Sequence, residues 1–401
     1  MLHLALVLGV ACAVRGVEPA VAVPDAEWDA AFQRAQGWTG GDAMYSVDLA
    51  NGHVLWLFAD TWIGDVRDQR HATGSTMVNN TLARHPLLPQ GKPPAPPVVE
   101  FLWGTSKAGN KPAAWIQPDP KQLGDLVQQS PIETWYWVAD GALLRAHELS
   151  ARLVIFLWRM ARSGAKVMDF RNVGCAMAVV DNPHDDWSQW RVRQIAVPHA
   201  TSKLSDTTRS DSAIVWGCEV LVDRDANGRE YAHVFGYRPH GPFGNELVAA
   251  RVSGDLIEQM DQWEFRTVNG WSPRPGDAVG LTTGLTTEYS ITPVDVDGGR
   301  RWLLTQSEPL FGARILLRAA QSPWGPWSEP RAVYTVPGLS SQRKHITYAA
   351  KAHRELSRSG ELLVTYVVNS LDFSENVNNA DIYHPRFVRV PLTLAPEPPN
   401  D

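Results

Sequence analysis

The sequence predicts an all-β chain folded as a five-bladed β-propeller, and three observations carry that reading. Past Gly37, helical periodicity is nearly absent, and short alternating or β-branched runs are bounded by Gly, Pro, Asp and Asn. Three consecutive runs of this kind recur five times in a similar order, a long period that points to a radial array of sheets. Within the groups, hairpins turn at Asn51-Gly52, Asn227-Gly228 and Ser359-Gly360, where glycine supplies the positive φ that a tight turn needs. A β-sandwich pair or a two-domain β protein is the plainer alternative.

The elements follow in chain order. Residues 4–14 form an apolar run too short to span a bilayer, and Ala20-Val21-Ala22 forms a small-residue cleavage site before Val23-Pro24. The reading is a secretory signal over residues 1–22 and a secreted or periplasmic protein, although the n-region ahead of the apolar run carries His3 and no Lys or Arg. A single domain is expected over 23–393, with a disordered Pro-rich tail at 394–401. Residues 28–33 are expected to supply a closing strand to the last blade. The blades are placed near 44–83, 137–197, 213–268, 289–336 and 348–391. The first is built from runs 44–49, 53–58 and 76–82. A long insertion over 84–133, Pro-rich at 91–97 and 109–120 and with a short helix near 121–129, is expected to cover the face carrying the candidate acids.

Composition limits the partners. The 401 residues are 44% hydrophobic and 20% charged, ordinary for a globular chain, which excludes disordered, collagen-like and coiled-coil classes. With 37 Lys+Arg against 43 Asp+Glu and no basic run, neither a nucleic acid nor, after signal cleavage, a membrane is expected as partner. Cys12 falls in the leader, and Cys175 and Cys218 read as buried thiols rather than a disulfide scaffold. No G-x-S-x-G, phosphate loop, S-x-D-x-G-x-x-W box, H-x-x-x-H or C-x-x-C spacing is present, so no cofactor and no metal ligand set is expected. A structural calcium site made of carbonyls and carboxylates would leave no readable motif. The 17 tryptophans are plates for a core or for stacking on sugars.

Four stretches carry a family resemblance: Gly40-Gly41-Asp42, Leu55-Trp56-Leu57-Phe58-Ala59-Asp60-Thr61, Ser322-Pro323-Trp324-Gly325-Pro326-Trp327-Ser328 and Tyr348-Ala349-Ala350-Lys351-Ala352-His353. In combination they resemble bacterial five-bladed propeller proteins of largely uncharacterised function, similar in form to the arabinanase and β-xylosidase propeller glycosidases. The likeness covers nearly the whole chain after residue 22. It implies the fold first and glycan chemistry second: a polysaccharide or oligosaccharide partner, with hydrolysis at a furanoside or pentose linkage.

Glycoside hydrolysis needs a proton donor at the leaving oxygen and a second carboxylate opposite it. One carboxylate opens the leading run of three groups: Asp42, Asp211 and Glu288. The resemblance implies a base at Asp42, a pKa-tuning residue at Asp211 and an acid at Glu288, with Glu288 raised by desolvation, Asp42 ionised and inversion as the outcome. The opposing reading makes these residues turn caps on a non-catalytic glycan- or protein-binding propeller. Asp60 is expected to bond neighbouring backbone, Glu219 to form an inter-blade salt bridge, and Asp140-Gly141 to make a bulge or turn. Substrate contacts are expected from Trp38, Trp62, Trp103, Trp115 and Trp135, together with Tyr289, Tyr348, Lys351 and His353. Trp137 is a further plate beside Trp135, whereas Trp56, Trp158, Trp216 and Trp302 are assigned to packing.

Overall fold

The computed structural model describes residues 20–399, apart from 94–97, 125–132, 148–149, 166–168, 201–213, 242–243, 297–298 and 340–343. Most of the expected leader, and Asp211, lie outside the described residues.

The chain is all-β, and its larger sheets are antiparallel meanders. The first runs Tyr45–Asp48, His53–Phe58, Thr81–Pro86, Glu100–Leu102, and the second Thr134–His147, Ser150–Arg162, Phe170–Val180, Val192–Val197. The third is led by Val215–Arg224, followed by Glu230–His240, Gly244–Ser253 and Glu264–Thr267, with Gly270–Ser272 beyond and Thr283–Leu285 pairing on Gly244–Ser253. The fourth runs Tyr289–Val296, Gly299–Ser307, Arg314–Ala320, Arg331–Thr335. The fifth runs His345–Ala352, Glu361–Ser370, Pro385–Pro391 and ends on Val23–Pro24 from the start of the chain.

Second strands such as Val54-Leu55-Trp56-Leu57-Phe58 are apolar without alternation because each sheet is covered on both faces, and all five of these side chains are buried. The leading strands stand beside one another in chain order. The last returns to the first through Lys351 Nζ donating to the Ala43 carbonyl at 2.5 Å and through the 2.6 Å bond between His353 Nδ1 and Ser46 Oγ. A channel lined by residues of all five leading strands opens between them as a cavity.

Three leading strands shift register, between Val138 and Gly141, Trp216 and Glu219, and Tyr348 and Lys351. Such bulges turn side chains that regular alternation would hide. The one at Gly217 tolerates no side chain, since φ is +88° and a Cβ would lie 2.2 Å from Phe156. The bulge expected at Asp140-Gly141 is present.

Two expectations are corrected. Residues 28–33 give no strand: Asp25 caps the helix Ala26–Phe32 by accepting from the Trp28 amide, and Trp28 and Phe32, one turn apart, bury one face of that helix. The closing strand is Val23–Pro24, where Val23 pairs with Arg389. The run 76–82 is divided, since Thr76–Val78 pairs with Thr61–Arg67 while Thr81–Pro86 pairs with His53–Phe58. Asn80 sits at the break, donating to the carbonyls of Ile116 and Tyr136 and accepting from the Ile116 amide. Within the insertion Glu100–Leu102 edges the first sheet, Pro120–Leu123 docks on the second through Gln122 and Gln194, whose amide donates to Gln122 Oε1 at 2.7 Å, and Trp115 and Ile116 bond Asn80, the neighbour of the Asp60 donor Asn79. Among the described residues no helix is long and apolar enough to cross a membrane.

Candidate active site

Three acids meet at the end of the channel where the leading strands begin. Asp42 directly follows the strand Gln36–Gly41 and lies three residues before Tyr45, where the first sheet begins, tied to the Ala59-Asp60 segment by bonds from its amide to the Asp60 carbonyl and from the Ala59 amide to its own carbonyl, both 3.2 Å. Its Oδ2 accepts from two phenols, Tyr348 at 2.7 Å and Tyr383 at 2.9 Å. Asn369 Nδ2 donates to the Tyr348 hydroxyl at 3.0 Å and completes the relay. Asp42 Oδ1 is buried and has no hydrogen-bond partner among the described residues.

This geometry is held by unusual backbone. Ala43 (φ +67°), Met44 (+59°), Ala349 (+60°) and Tyr383 (+66°) occupy the left-handed region without being glycine. Each costs about 1–3 kcal/mol, and such strain collects where surrounding structure must aim a functional group.

In place of the expected bond to neighbouring backbone, Asp60 Oδ1 accepts from two side chains, Trp137 Nε1 at 2.8 Å and Asn79 Nδ2 at 3.1 Å. Burial pushes the Asp42 carboxyl up to about 8, aided by the charges of Asp60 and Glu288 and opposed by the two tyrosine hydroxyls. Burial also raises Asp60, to about 6, against the indole and amide donors and the charge of Arg162. Neighbouring carboxyls of this kind titrate as a pair.

Glu288 immediately precedes the fourth sheet and is ion-paired with Lys351, Nζ to Oε1 2.8 Å, with side chains only 12% and 2% exposed. The same ammonium donates to the carbonyls of Ala43 and Ala349 and lies 4.2 Å from the Tyr45 ring centre. One buried cation therefore ties the strand after Asp42, the bulge after Tyr348 and the carboxylate of Glu288 together.

Deeper in the channel, polar side chains staple each sheet to the next. Asp140 Oδ2 accepts from the Val220 amide at 2.7 Å, Glu219 Oε2 from the Ile291 amide at 3.0 Å, and Ser290 Oγ from the Ala352 amide at 2.8 Å. Glu219 thus bonds backbone on the adjacent sheet instead of forming the expected salt bridge. Burial raises all three channel acids: Asp140 to about 8, Glu355 to about 7, and Glu219 well above the carboxylate range.

Several expected substrate contacts sit elsewhere. Trp38 is buried against Phe58 and Phe101, and Trp62 stacks on His71 at 4.5 Å, so neither indole offers a free face. Trp103 packs on the cluster that holds Trp38, and Trp115 packs on the main core with its amide bonded to the Asn80 carbonyl. Tyr289 is fully buried and donates to the Gly236 carbonyl. His353 is a satisfied core histidine between Ser46 and Thr365, pushed down to about 3 by burial. Trp135 is buried against Trp137, Phe170 and Arg162, while the half-buried Trp137 holds Asp60. Tyr348 and Lys351 do meet Asp42 and Glu288. Tyr383 and Asn369 had no sequence signal, because each reaches Asp42 or its relay from the fifth sheet and the segment before Pro385. Cys175 and Cys218 are free buried thiols. Among the described residues no group of three His, Cys, Asp or Glu side chains is arranged to hold a metal ion.

Residues 25–392 match the model of a family described as a domain of unknown function (DUF5005). The chain belongs to that family. No curated protein matches the DUF5005 chain. Among solved structures it is similar to a "putative hydrolase" from Bacteroides ovatus, at 20% identity over 92% of this chain and 89% of that one, with a TM-score of 0.65. This is a likeness of fold. Further similar structures are a GH43_1 enzyme from Xanthomonas citri complexed with xylotriose (14% identity, 91% and 92% covered, TM-score 0.44) and an exo-β-1,3-galactanase from Phanerochaete chrysosporium with galactose (10%, 92% and 66%, TM-score 0.41).

Proposed function

We propose that the DUF5005 chain is an exported five-bladed propeller that hydrolyses a glycosidic bond at the mouth formed by Asp42, Asp60 and Glu288. The propeller reading is supported by the meandering sheets whose leading strands neighbour one another in turn, with the strand Val23–Pro24 closing the last. Export is supported by the small-residue site that ends one residue before that strand. The observation that carries the chemistry is Asp42: one carboxyl oxygen held by two phenols, the other bare, beside two more acids.

In the resting site the proton belongs on Asp42 Oδ1 and the negative charge on Glu288, which pairs with Lys351. This differs from the assignment the resemblance implies. Asp42 then gives its proton to the departing glycosidic oxygen as the anomeric C–O bond breaks. Glu288 takes a proton from the water whose oxygen forms the new bond, and the two carboxyls exchange protons with solvent to reset. Asp60 keeps the Asp42 proton in place through its charge. Attack by water from the opposite side inverts the anomeric carbon, which requires carboxyls roughly 6.5–9.5 Å apart.

Turnover of arabinan, xylan and galactan oligosaccharides by the unmodified protein is the first test, with product anomer read by NMR. Asp42→Asn should lose turnover of natural linkages yet keep much of it on aryl glycosides whose leaving group needs no proton, while Glu288→Gln should lose both. The opposite pattern returns the acid role to Glu288. A protein that binds these glycans and turns over none is a binding propeller, a reading favoured by the ion pair that already neutralises Glu288.

A further inference from the structure

A cavity of about 690 Å³ opens where the leading strands end, opposite the mouth that holds Asp42. Its lining includes Asp48, Leu143, Asp223 and Pro293, all toward the far ends of those strands, and Glu355, just beyond the last. Lys351 forms part of its floor, and its bonds to Ala43, Ala349 and Glu288 stand between this cavity and the three-acid mouth.

We propose that this far cavity is a second binding site that takes a neutral oligosaccharide. The inference stands on the cavity alone and does not require the protein to be a hydrolase. The volume is that of a small-molecule site, and the walls carry flat aromatic plates with a few convergent polar groups. Trp271, Trp302 and Trp324 line it, each half-buried, and among the described residues none of their indole N–H groups donates to a protein acceptor. Trp324 is braced by Phe235, stacked at 5.4 Å, and stands edge-on to Trp271 at 5.0 Å, whose ring Arg251 covers at 4.5 Å, so these two indoles are held by their neighbours. Trp302 packs on the main core, as expected, and also borders the cavity.

The polar groups select the ligand. Glu355 and His233 both line the cavity, and Glu355 Oε1 and His233 Nδ1 are buried without a hydrogen-bond partner among the described residues. An unpaired buried polar atom costs about 1–3 kcal/mol, which a ligand hydroxyl would recover. An anionic ligand finds little to hold it. Arg251 is engaged by Glu264 at 2.8 Å, Arg300 by Asp295 at 3.1 Å, and Lys351 by Glu288. Arg354, the lining cation without an ion pair among the described residues, is outnumbered by Asp48 and Asp223. A cationic ligand would need ionised acids on the floor, but Asp140, Glu219 and Glu355 lie in a confined space where keeping a proton avoids the cost of isolated buried charge. Hydroxyls that donate and accept, laid on indole faces, suit this surface best.

Calorimetric titration of the full chain with xylotriose, β-1,3-galactotriose and cellotriose tests the proposal, with each variant's fold confirmed by circular dichroism. At least one glycan should bind in the millimolar range or tighter, and Trp302→Ala should weaken that event by about tenfold, the worth of one stacked plate. Glu355→Gln, which keeps size and both hydrogen-bonding capacities, should change it far less than Glu355→Ala. Trp137→Ala and Asp42→Asn, at the opposite mouth, should leave it unchanged. Should the glycans fail to bind, or should every binding event respond to Trp137 and Asp42 and not to Trp302, the proposal is wrong. Tighter binding of choline or spermidine than of any sugar, lost in Trp302→Ala, would also overturn it and make the cavity a cation site. A hydrolase with no second site and a non-hydrolase with one are thereby told apart.

Discussion

Asp42→Asn should stabilise the fold, and its gain should grow with pH. In the native state burial and the charges of Asp60 and Glu288 raise the Asp42 carboxyl from its ordinary 3.8 to about 8. Below 3.8 folded and unfolded chains both hold this proton. Between 3.8 and about 8 the unfolded chain releases it while the folded chain retains it, so the unfolded state binds fewer protons and stability falls as pH rises. Each unit of such a shift corresponds to about 1.4 kcal/mol. Asp42 keeps part of its surface accessible and shares its titration with Asp60, so about 2 kcal/mol of added advantage for Asn is expected from about pH 5 to about pH 8. Asn fits the site, since its carbonyl can accept from Tyr348 and Tyr383 while its amide takes the place of the bare Oδ1. Urea denaturation of both proteins at three pH values measures the difference. Asp140 and Glu355 titrate in both proteins and largely cancel. A gain that is flat, or that shrinks toward high pH, would show that Asp42 is already ionised at pH 5 and would refute the reasoning.

Two other outcomes follow from the same site. Tyr383→Phe removes a 2.9 Å donor to the Asp42 carboxylate and so disfavours its anion, worth about 1.5–3 kcal/mol; the alkaline limb of the pH–rate profile should move up by about one unit or more, and an unmoved limb would remove Tyr383 from the relay. Lys351→Met leaves Glu288 unpaired in a largely enclosed site and should cost about 3–5 kcal/mol, of which the double variant with Glu288→Gln recovers a clear part; additive effects in denaturation would mean that the pair is not coupled.

What the residues determine by themselves is local. The unbroken apolar run 54–58 requires a strand covered on both faces, the glycine turns define hairpins, and Asp42 and Glu288 stand where leading strands begin. Those features depend on neighbours a few residues away, which a single chain displays directly. Tertiary structure decided the rest, because it depends on groups that meet only after distant segments close. Tyr383 reaches Asp42 across more than three hundred residues, so no spacing announces it. Trp135 and Trp137 share a strand face and a residue type, yet only Trp137 lies where Asp60 arrives. Trp38 and Trp62 flank the acids in sequence, but alternation and the apolar cluster around Phe58 draw Trp38 inward and His71 covers Trp62. The register shifts at Gly217 and Ala349 are the physical reason that pattern alone fails in the channel. Each inserts residues that alternation does not count, and so decides which carboxyl, ammonium or amide faces the next sheet.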